Sequence, residues 1–137
     1  MMEAYSVGIL GLLLICLLPL VLANIVGPFK GKEGLVGGPV ADARDENFNF
    51  RLDRAHSNTV ESTLPFVAPA ILAIMLGVGP GLLAILVWAF LAIRVTYSIV
   101  YLQGGALAKG GSLRTILHVL GSLTTIALII IAAFATF

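Results

Sequence analysis

The chain has 137 residues, of which 59% are hydrophobic and 11% are charged, and its mean hydropathy is +1.06. Charged residues make up about a quarter of a typical soluble domain, so this composition excludes an ordinary water-soluble fold and indicates a single-domain integral membrane protein. The net charge of +1 gives no electrostatic support to nucleic-acid binding, and one cysteine with two histidines predicts neither a disulfide framework nor a metal site.

The first apolar segment, residues 5–25, contains no charged side chain and is long enough to cross a membrane once. A signal peptide is the alternative, but it would have a basic start and a shorter apolar core, whereas this chain begins with the acidic sequence MMEA. Pro19 is expected to bend the helix without ending it, and Cys16 is expected to be a small core or lipid-facing side chain. The segment is therefore predicted to be a transmembrane helix.

The next segment, residues 26–49, is rich in glycine and proline and is predicted to be a loop, with Lys30 and Lys32 at the membrane interface. A second helix is predicted over about residues 50–77. It begins with charged and polar side chains, and only its latter part is apolar. The sequence GVGP at residues 77–80 then predicts a tight turn, so the second and third helices are expected to form an antiparallel hairpin.

The third helix is predicted over about residues 81–102, followed by the glycine-rich linker QGGALAKGG at 103–111. Ser112 is predicted to be the N-cap of a fourth helix that covers residues 112–137. Four membrane spans result, and lysine and arginine are concentrated in the first and third loops. The positive-inside rule therefore predicts that these two loops are cytoplasmic and that both termini lie outside.

Four polar side chains and one proline lie along one face of the second helix. Their spacing is i, i+3, i+7, i+10 and i+14, and they are Arg51, Arg54, Asn58, Glu61 and Pro65. Ionisable groups close to a bilayer core are costly, so such a stripe indicates a function.

The third and fourth helices carry groups that suit the same site. Arg94, Tyr97 and Tyr101 have the spacing i, i+3 and i+7 of one helix face, and Arg114 and His118 are four residues apart. The predicted topology places all of the span-associated arginines toward the cytoplasmic half. We therefore expect these helices to bring their polar groups together.

Two interpretations of this convergence are open. In the first, Glu61 pairs with one arginine and the other arginines extend to the interface, so that the groups only join helices. In the second, the excess of arginine over Glu61 binds an anionic ligand, and Tyr97 and Tyr101 add hydroxyl donors. The two tyrosines also suit an interfacial aromatic belt, but their register with Arg94 favours the ligand site.

Two segments resemble a known family. RAHSNTVESTLPF, residues 54–66, resembles the second-helix signature of the MAPEG family, the membrane-associated proteins of eicosanoid and glutathione metabolism. RVTYSIVYL, residues 94–102, resembles the third-helix segment of that family, and Arg114 falls where the family carries a fourth-helix arginine that faces the glutathione sulfur. The resemblance implies an all-α, integral membrane four-helix bundle that assembles as a homotrimer, with glutathione held between neighbouring subunits on the cytoplasmic side.

The same resemblance implies roles for individual residues. Glu61 would pair with the amino group of glutathione, and the arginines would pair with its carboxylates. Tyr101 would lie along the peptide and Arg114 would stabilise the thiolate, so these two are the expected catalytic residues. Tyr97 stands where some relatives have histidine. The full expected glutathione-binding set is Arg51, Arg54, Asn58, Glu61, Arg94, Tyr97, Tyr101 and Lys30.

The activity implied is that of a glutathione transferase or peroxidase, with glutathione as co-substrate and a lipophilic electrophile in the membrane as acceptor. A free thiol has a pKa of about 8.5, and a nearby cation lowers that pKa and so forms the nucleophilic thiolate. Two alternatives remain open. One is a non-catalytic lipid-binding or scaffold protein of the same fold, like the 5-lipoxygenase-activating protein, and the other is a small membrane subunit that packs in a larger complex.

Overall fold

The computed structural model describes residues 2–35, 38–104 and 113–137, and these residues form four long helices after one turn of 3-10 helix at Met2–Tyr5. The helices are α1 (Ser6–Lys32), α2 (Phe48–Met75), α3 (Pro80–Gln103) and α4 (Leu113–Phe134). Each is long and apolar enough to cross a membrane. The prediction of an all-helical protein with four span-like helices is confirmed.

Helix α1 is longer than expected, and the prediction of a loop over residues 26–32 was wrong. The helix continues through Pro19 as predicted, and then through the glycine- and proline-rich residues that follow. Packing explains the difference, because Val26 is buried and Lys30 Nζ lies 2.8 Å from Asp53 Oδ1 on α2. Tertiary contacts of this kind stabilise helical turns that local composition alone does not favour.

The hairpin between α2 and α3 is formed by the predicted turn. Gly77 has a φ of +75°, which side chains other than glycine rarely adopt, and the Val78 amide donates a hydrogen bond of 2.9 Å to the Ala73 carbonyl. Pro80 is the first residue of α3, where its missing amide hydrogen costs nothing. The Tyr5 hydroxyl donates to the Val78 carbonyl at 2.6 Å and so attaches the start of the chain to this turn.

The apolar core fills the half of the bundle that contains this turn. Phe66 of α2 stacks on Phe90 of α3 with 3.9 Å between ring centroids, and both side chains are fully buried. Helix α1 approaches α3 closely at Gly11, where a β-carbon would lie 2.5 Å from a methyl group of Val87. The other half of the bundle, formed by the start of α2, the end of α3 and the start of α4, contains the polar side chains.

Loop residues define the ends of the helices in that polar half. Asn47 is the N-cap of α2, because its side-chain oxygen accepts a hydrogen bond of 2.9 Å from the Asn49 amide. Helix α3 ends at Gln103, and Gly104 follows with a φ of +65°. The predicted N-cap Ser112 and residues 105–111 of the predicted linker lie outside the described residues.

Candidate functional site

Arg94 lies at the centre of the polar half and is only 3% exposed. Its Nη2 donates a hydrogen bond of 2.7 Å to the Asn58 carbonyl of α2, and its guanidinium carbon lies 4.6 Å from the centroid of the Tyr97 ring. The Asn58 side chain in turn donates to the Tyr97 hydroxyl at 2.9 Å. The three residues therefore form a closed network that joins α2 to α3.

One donor of Arg94 is left over by this network. Its Nε is buried, and among the described residues it has no hydrogen-bond partner. Leaving a buried donor unsatisfied costs about 1–3 kcal/mol, and more for a charged group. A site of this kind favours an acceptor or an anion that approaches the guanidinium.

A second arginine lies on the next tyrosine of α3. The guanidinium carbon of Arg114 lies 4.7 Å from the centroid of the Tyr101 ring, and the Tyr97 and Tyr101 rings are 5.6 Å apart. Arg114 Nη1 is also 3.4 Å from Asp45 Oδ2 in the loop between α1 and α2. Arginines on tyrosine rings gain cation–π energy while keeping their donors free for anions.

A cavity of about 280 Å³ opens beside Arg94 between α2, α3 and α4. Its polar wall includes Asn58, Glu61, Arg94 and His118, and its apolar wall includes Pro65, Phe90 and Ile126. This volume is near the lower limit of about 300 Å³ for pockets that bind small molecules. The cavity therefore presents charged groups to one part of a ligand and apolar surface to another.

Residues 54–66 supply the α2 wall of this cavity, and Arg94, the first residue of the segment 94–102, belongs to its α3 wall. Residues 5–134 match the family model described as the MAPEG family, which is nearly the whole chain. The chain belongs to the MAPEG family. Comparisons with curated proteins and with solved structures found no match. Membership makes this MAPEG protein an integral membrane protein of the family of eicosanoid and glutathione metabolism.

Arg51 of the MAPEG chain is bound by the backbone around it. Its Nη1 donates to the carbonyl oxygens of Asp45 at 2.7 Å and Glu46 at 3.0 Å, and its Nε donates to the Leu102 carbonyl at 3.3 Å. A β-carbon at Gly104 would lie 2.9 Å from the guanidinium carbon of Arg51, so a side chain there would have to displace the guanidinium. Arg51 thus joins the first loop to the end of α3.

Lys30 lies apart from the other expected binding residues. Its ion pair with Asp53 is largely buried, with side-chain exposures of 15% and 19%, and it lines a separate cavity of about 520 Å³ between α1 and α2. Arg54 is half-buried on α2, about one helical turn before Asn58. Of the expected binding residues, the cavity is lined by Asn58, Glu61 and Arg94. Tyr97 contacts Asn58 and Arg94, and Arg114 lies on Tyr101, whereas Lys30 lies in a different cavity.

Two features of the site were missed in the sequence. Asp45 was not distinguishable from its acidic neighbours in the loop, because loop residues follow no periodic pattern. The second feature is that the stripe that begins at His118 continues along α4 through Gly121, Ser122 and Thr125, all of which line the cavity. Its spacing of i, i+3, i+4 and i+7 is the signal that could have revealed it.

Proposed function

We propose that this MAPEG protein is a glutathione-dependent transferase or peroxidase that acts on lipophilic electrophiles within the membrane. The observation that carries the proposal is the cavity in which Glu61, Asn58 and the buried Arg94 form the polar part and apolar side chains form the rest. Glutathione has two carboxylates, one ammonium group and a thiol. Several arginines and one carboxylate carry the charges opposite to those of glutathione. They can therefore form charge-assisted hydrogen bonds with it, which are stronger than hydrogen bonds between neutral groups.

The binding roles follow from these charges. Glu61 pairs with the ammonium group of glutathione, and Arg54 and Arg94 pair with its carboxylates. The network of Asn58 and Tyr97 fixes the position of Arg94, since it joins α2 to α3 around the guanidinium. A preorganised cation loses little freedom on binding, which favours affinity.

In the chemical step Arg114 stabilises the thiolate, and Tyr101 forms the surface on which the peptide lies. Lowering a thiol pKa by about two units requires about 2.7 kcal/mol of preferential stabilisation of the thiolate. One arginine in a partly desolvated site is able to supply this energy. The electrophile enters from the bilayer at the apolar part of the cavity, where the sulfur attacks it.

The proposal includes assembly as a homotrimer. The cavity is small for a tripeptide and lies at the surface of one chain, so a neighbouring copy is needed to cover the ligand. Lys30 belongs to the binding set only if it reaches the ligand across a subunit boundary, because in one chain it lies in a different cavity. We also propose that the first and third loops are cytoplasmic and that both termini lie outside, since the lysines and arginines lie in these loops or in the halves of the helices that adjoin them.

A second candidate function is lipid binding without catalysis. It is favoured by a groove of about 380 Å³ between α1 and α2 that only apolar side chains line, among them Leu12, Val67 and Ile71. A groove of this chemistry suits an acyl chain.

Glutathione titration of the purified protein in detergent separates the candidates. Calorimetry measures binding, and ultraviolet absorbance measures formation of the bound thiolate. Binding with thiolate formation is the result expected of the enzyme, and Arg54→Ala is the control that should weaken both signals. Binding without a thiolate would favour the non-catalytic function, and no binding would overturn the proposal.

A further inference from the structure

We propose that Arg51 is a positioning residue that holds Asp45 beside Arg114 and so sets how strongly Arg114 stabilises the glutathione thiolate. This role rests on the proposed function, because that function assigns Arg114 to the thiolate. Arg51 then leaves the set of residues expected to bind glutathione, and it acts on the sulfur only through two other side chains.

The hydrogen bonds that the Arg51 guanidinium forms with the described residues go to backbone oxygens. Nη1 donates to the carbonyls of Asp45 and Glu46, and Nε donates to the Leu102 carbonyl. Leu102 lies in the last turn of α3, where the carbonyl oxygens have no amide partner within the helix and form the negative end of its dipole. A cation is favoured at that point, so Arg51 fixes the backbone of the first loop to the end of α3.

The surroundings of Arg51 keep its guanidinium in this place. Gly104 provides the space, because a β-carbon at that residue would crowd both Nε and the guanidinium carbon of Arg51. On α2 the guanidinium carbon lies 5.7 Å from the centroid of the Phe48 ring. Arg51 is therefore enclosed by the loop and by the ends of two helices, and it does not line the cavity beside Arg94.

Asp45 is the residue through which Arg51 acts. Arg51 binds the backbone oxygen of Asp45, while the Asp45 carboxylate lies 3.4 Å from Arg114 Nη1. That distance is long for a charge-assisted hydrogen bond, which normally measures about 2.7–2.9 Å, and the Asp45 side chain is 41% exposed. A contact this weak does not hold the loop by itself. The backbone bonds of Arg51 therefore decide whether the carboxylate stays beside Arg114.

A carboxylate beside Arg114 opposes formation of the thiolate. The guanidinium is shared between two anions, so the thiol ionises less readily than it would beside a cation without a partner. Among the described residues, Arg51 forms no hydrogen bond with the side chains of the other charged or titratable groups in the polar half, which are Arg54, Glu61, Arg94, Tyr97, Tyr101 and His118. Asp45 is thus the route by which a change at Arg51 reaches the sulfur.

The test is a double-mutant cycle of Arg51→Lys and Asp45→Asn, read as the pH midpoint of thiolate absorbance in the glutathione-bound protein. Lysine keeps the charge but lacks the planar fork that reaches several carbonyls at once. We expect each single variant to lower the midpoint, Asp45→Asn by up to about 0.7 pH units, the upper value for an exposed ion pair. In the Asp45→Asn background, Arg51→Lys should cause no further shift, because the carboxylate that it positions is absent.

The controls separate this role from ligand binding and from a general effect on the loop. Arg44→Lys is the same substitution in the same loop, where Arg44 pairs with Asp42, and it should not move the midpoint. The affinity for S-methylglutathione, which forms no thiolate, should be equal in Arg51→Lys and in the wild type. Gly104→Ala displaces the guanidinium without replacing Arg51, so it should lower the midpoint only where the carboxylate of Asp45 is present.

Other outcomes overturn the inference. Equal shifts by Arg51→Lys in both backgrounds would mean that Arg51 does not act through Asp45, and weaker binding of S-methylglutathione would make Arg51 a ligand of a glutathione carboxylate. If Arg51→Lys does not fold, the same comparison with Gly104→Ala decides. Midpoints that do not move, in proteins that still form the thiolate, would refute the role of Arg51 and leave the proposed function intact. A wild-type protein that binds no glutathione would refute the proposed function as well.

Discussion

Asp45 competes with glutathione for Arg114 if that arginine stabilises the thiolate. Arg114 Nη1 lies 3.4 Å and 3.5 Å from the two carboxylate oxygens of Asp45, so the cation already has a partner in the free protein. Asp45→Asn removes the charge and keeps the size of the side chain. The loop should keep its place, because Arg51 binds the backbone carbonyl of Asp45 and not its side chain. We expect this variant to form the thiolate more readily.

The magnitude follows from the distance and the exposure of the pair. Two unit charges 3.4 Å apart attract each other by about 5 kcal/mol at an effective dielectric constant of about 20. The side chains of Arg114 and Asp45 are 21% and 41% exposed. Solvent screening therefore reduces the net attraction toward the value of about 0.2–1 kcal/mol that is typical of exposed ion pairs. An upper value of about 1 kcal/mol corresponds to about fivefold tighter glutathione binding. It also corresponds to a thiol pKa lower by about 0.7 units.

The assay is the ultraviolet absorbance of the bound thiolate, measured against pH in the wild type and in Asp45→Asn. The midpoint should move to lower pH in the variant. Asp42→Asn is the control, because Asp42 pairs with Arg44 in the same loop and should not affect Arg114. A midpoint that does not move would mean that Arg114 does not face the sulfur. A midpoint that moves to higher pH would mean that Asp45 orients Arg114 toward the sulfur and does not compete with it.

Three further predictions concern binding, chemistry and topology. Glu61→Gln and Arg54→Ala should each weaken glutathione binding in calorimetry, because each removes one partner of a charged pair with the ligand. Glu61 is exposed and Arg54 is half-buried in the single chain, so the loss reaches the value of about 2–5 kcal/mol that is typical of a buried pair only where the ligand and a neighbouring copy cover them. Unchanged affinity in both variants would return these residues to a structural role. Arg114→Ala should leave the affinity for S-methylglutathione nearly unchanged and lower the conjugation rate at neutral pH. The rate should recover toward about pH 9, where the free thiol ionises by itself. If binding of the S-methyl analogue is lost as well, Arg114 binds a carboxylate of glutathione and not its sulfur. In a cysteine-free background, a membrane-impermeant reagent added to intact cells should label Thr136→Cys and not Ala43→Cys, and the reverse pattern would invert the proposed topology.

Local patterns were enough to predict four span-like helices and which polar side chains share a helix face. The lengths of the apolar segments predicted four span-like helices, since a helix rises by about 1.5 Å per residue and the bilayer core has a set thickness. The spacing of Arg94, Tyr97 and Tyr101 placed them on one face, because the helical repeat is a property of the backbone. In the structure the three side chains are buried together, and the network of Arg94 with Asn58 joins that face to α2.

The partners of the charged side chains were decided only by the packing of the helices. The sequence is compatible with several pairings of its arginines, lysines and carboxylates, and the observed pairs of Lys30 with Asp53 and Arg114 with Asp45 join residues 23 and 69 positions apart. The last turns of α1 are likewise stabilised by contacts with α2 and not by their own glycine- and proline-rich composition. The cavity beside His118 exists only where three helices meet. Periodicity determines which side chains share a face of one helix, but which faces meet depends on contacts between distant parts of the chain.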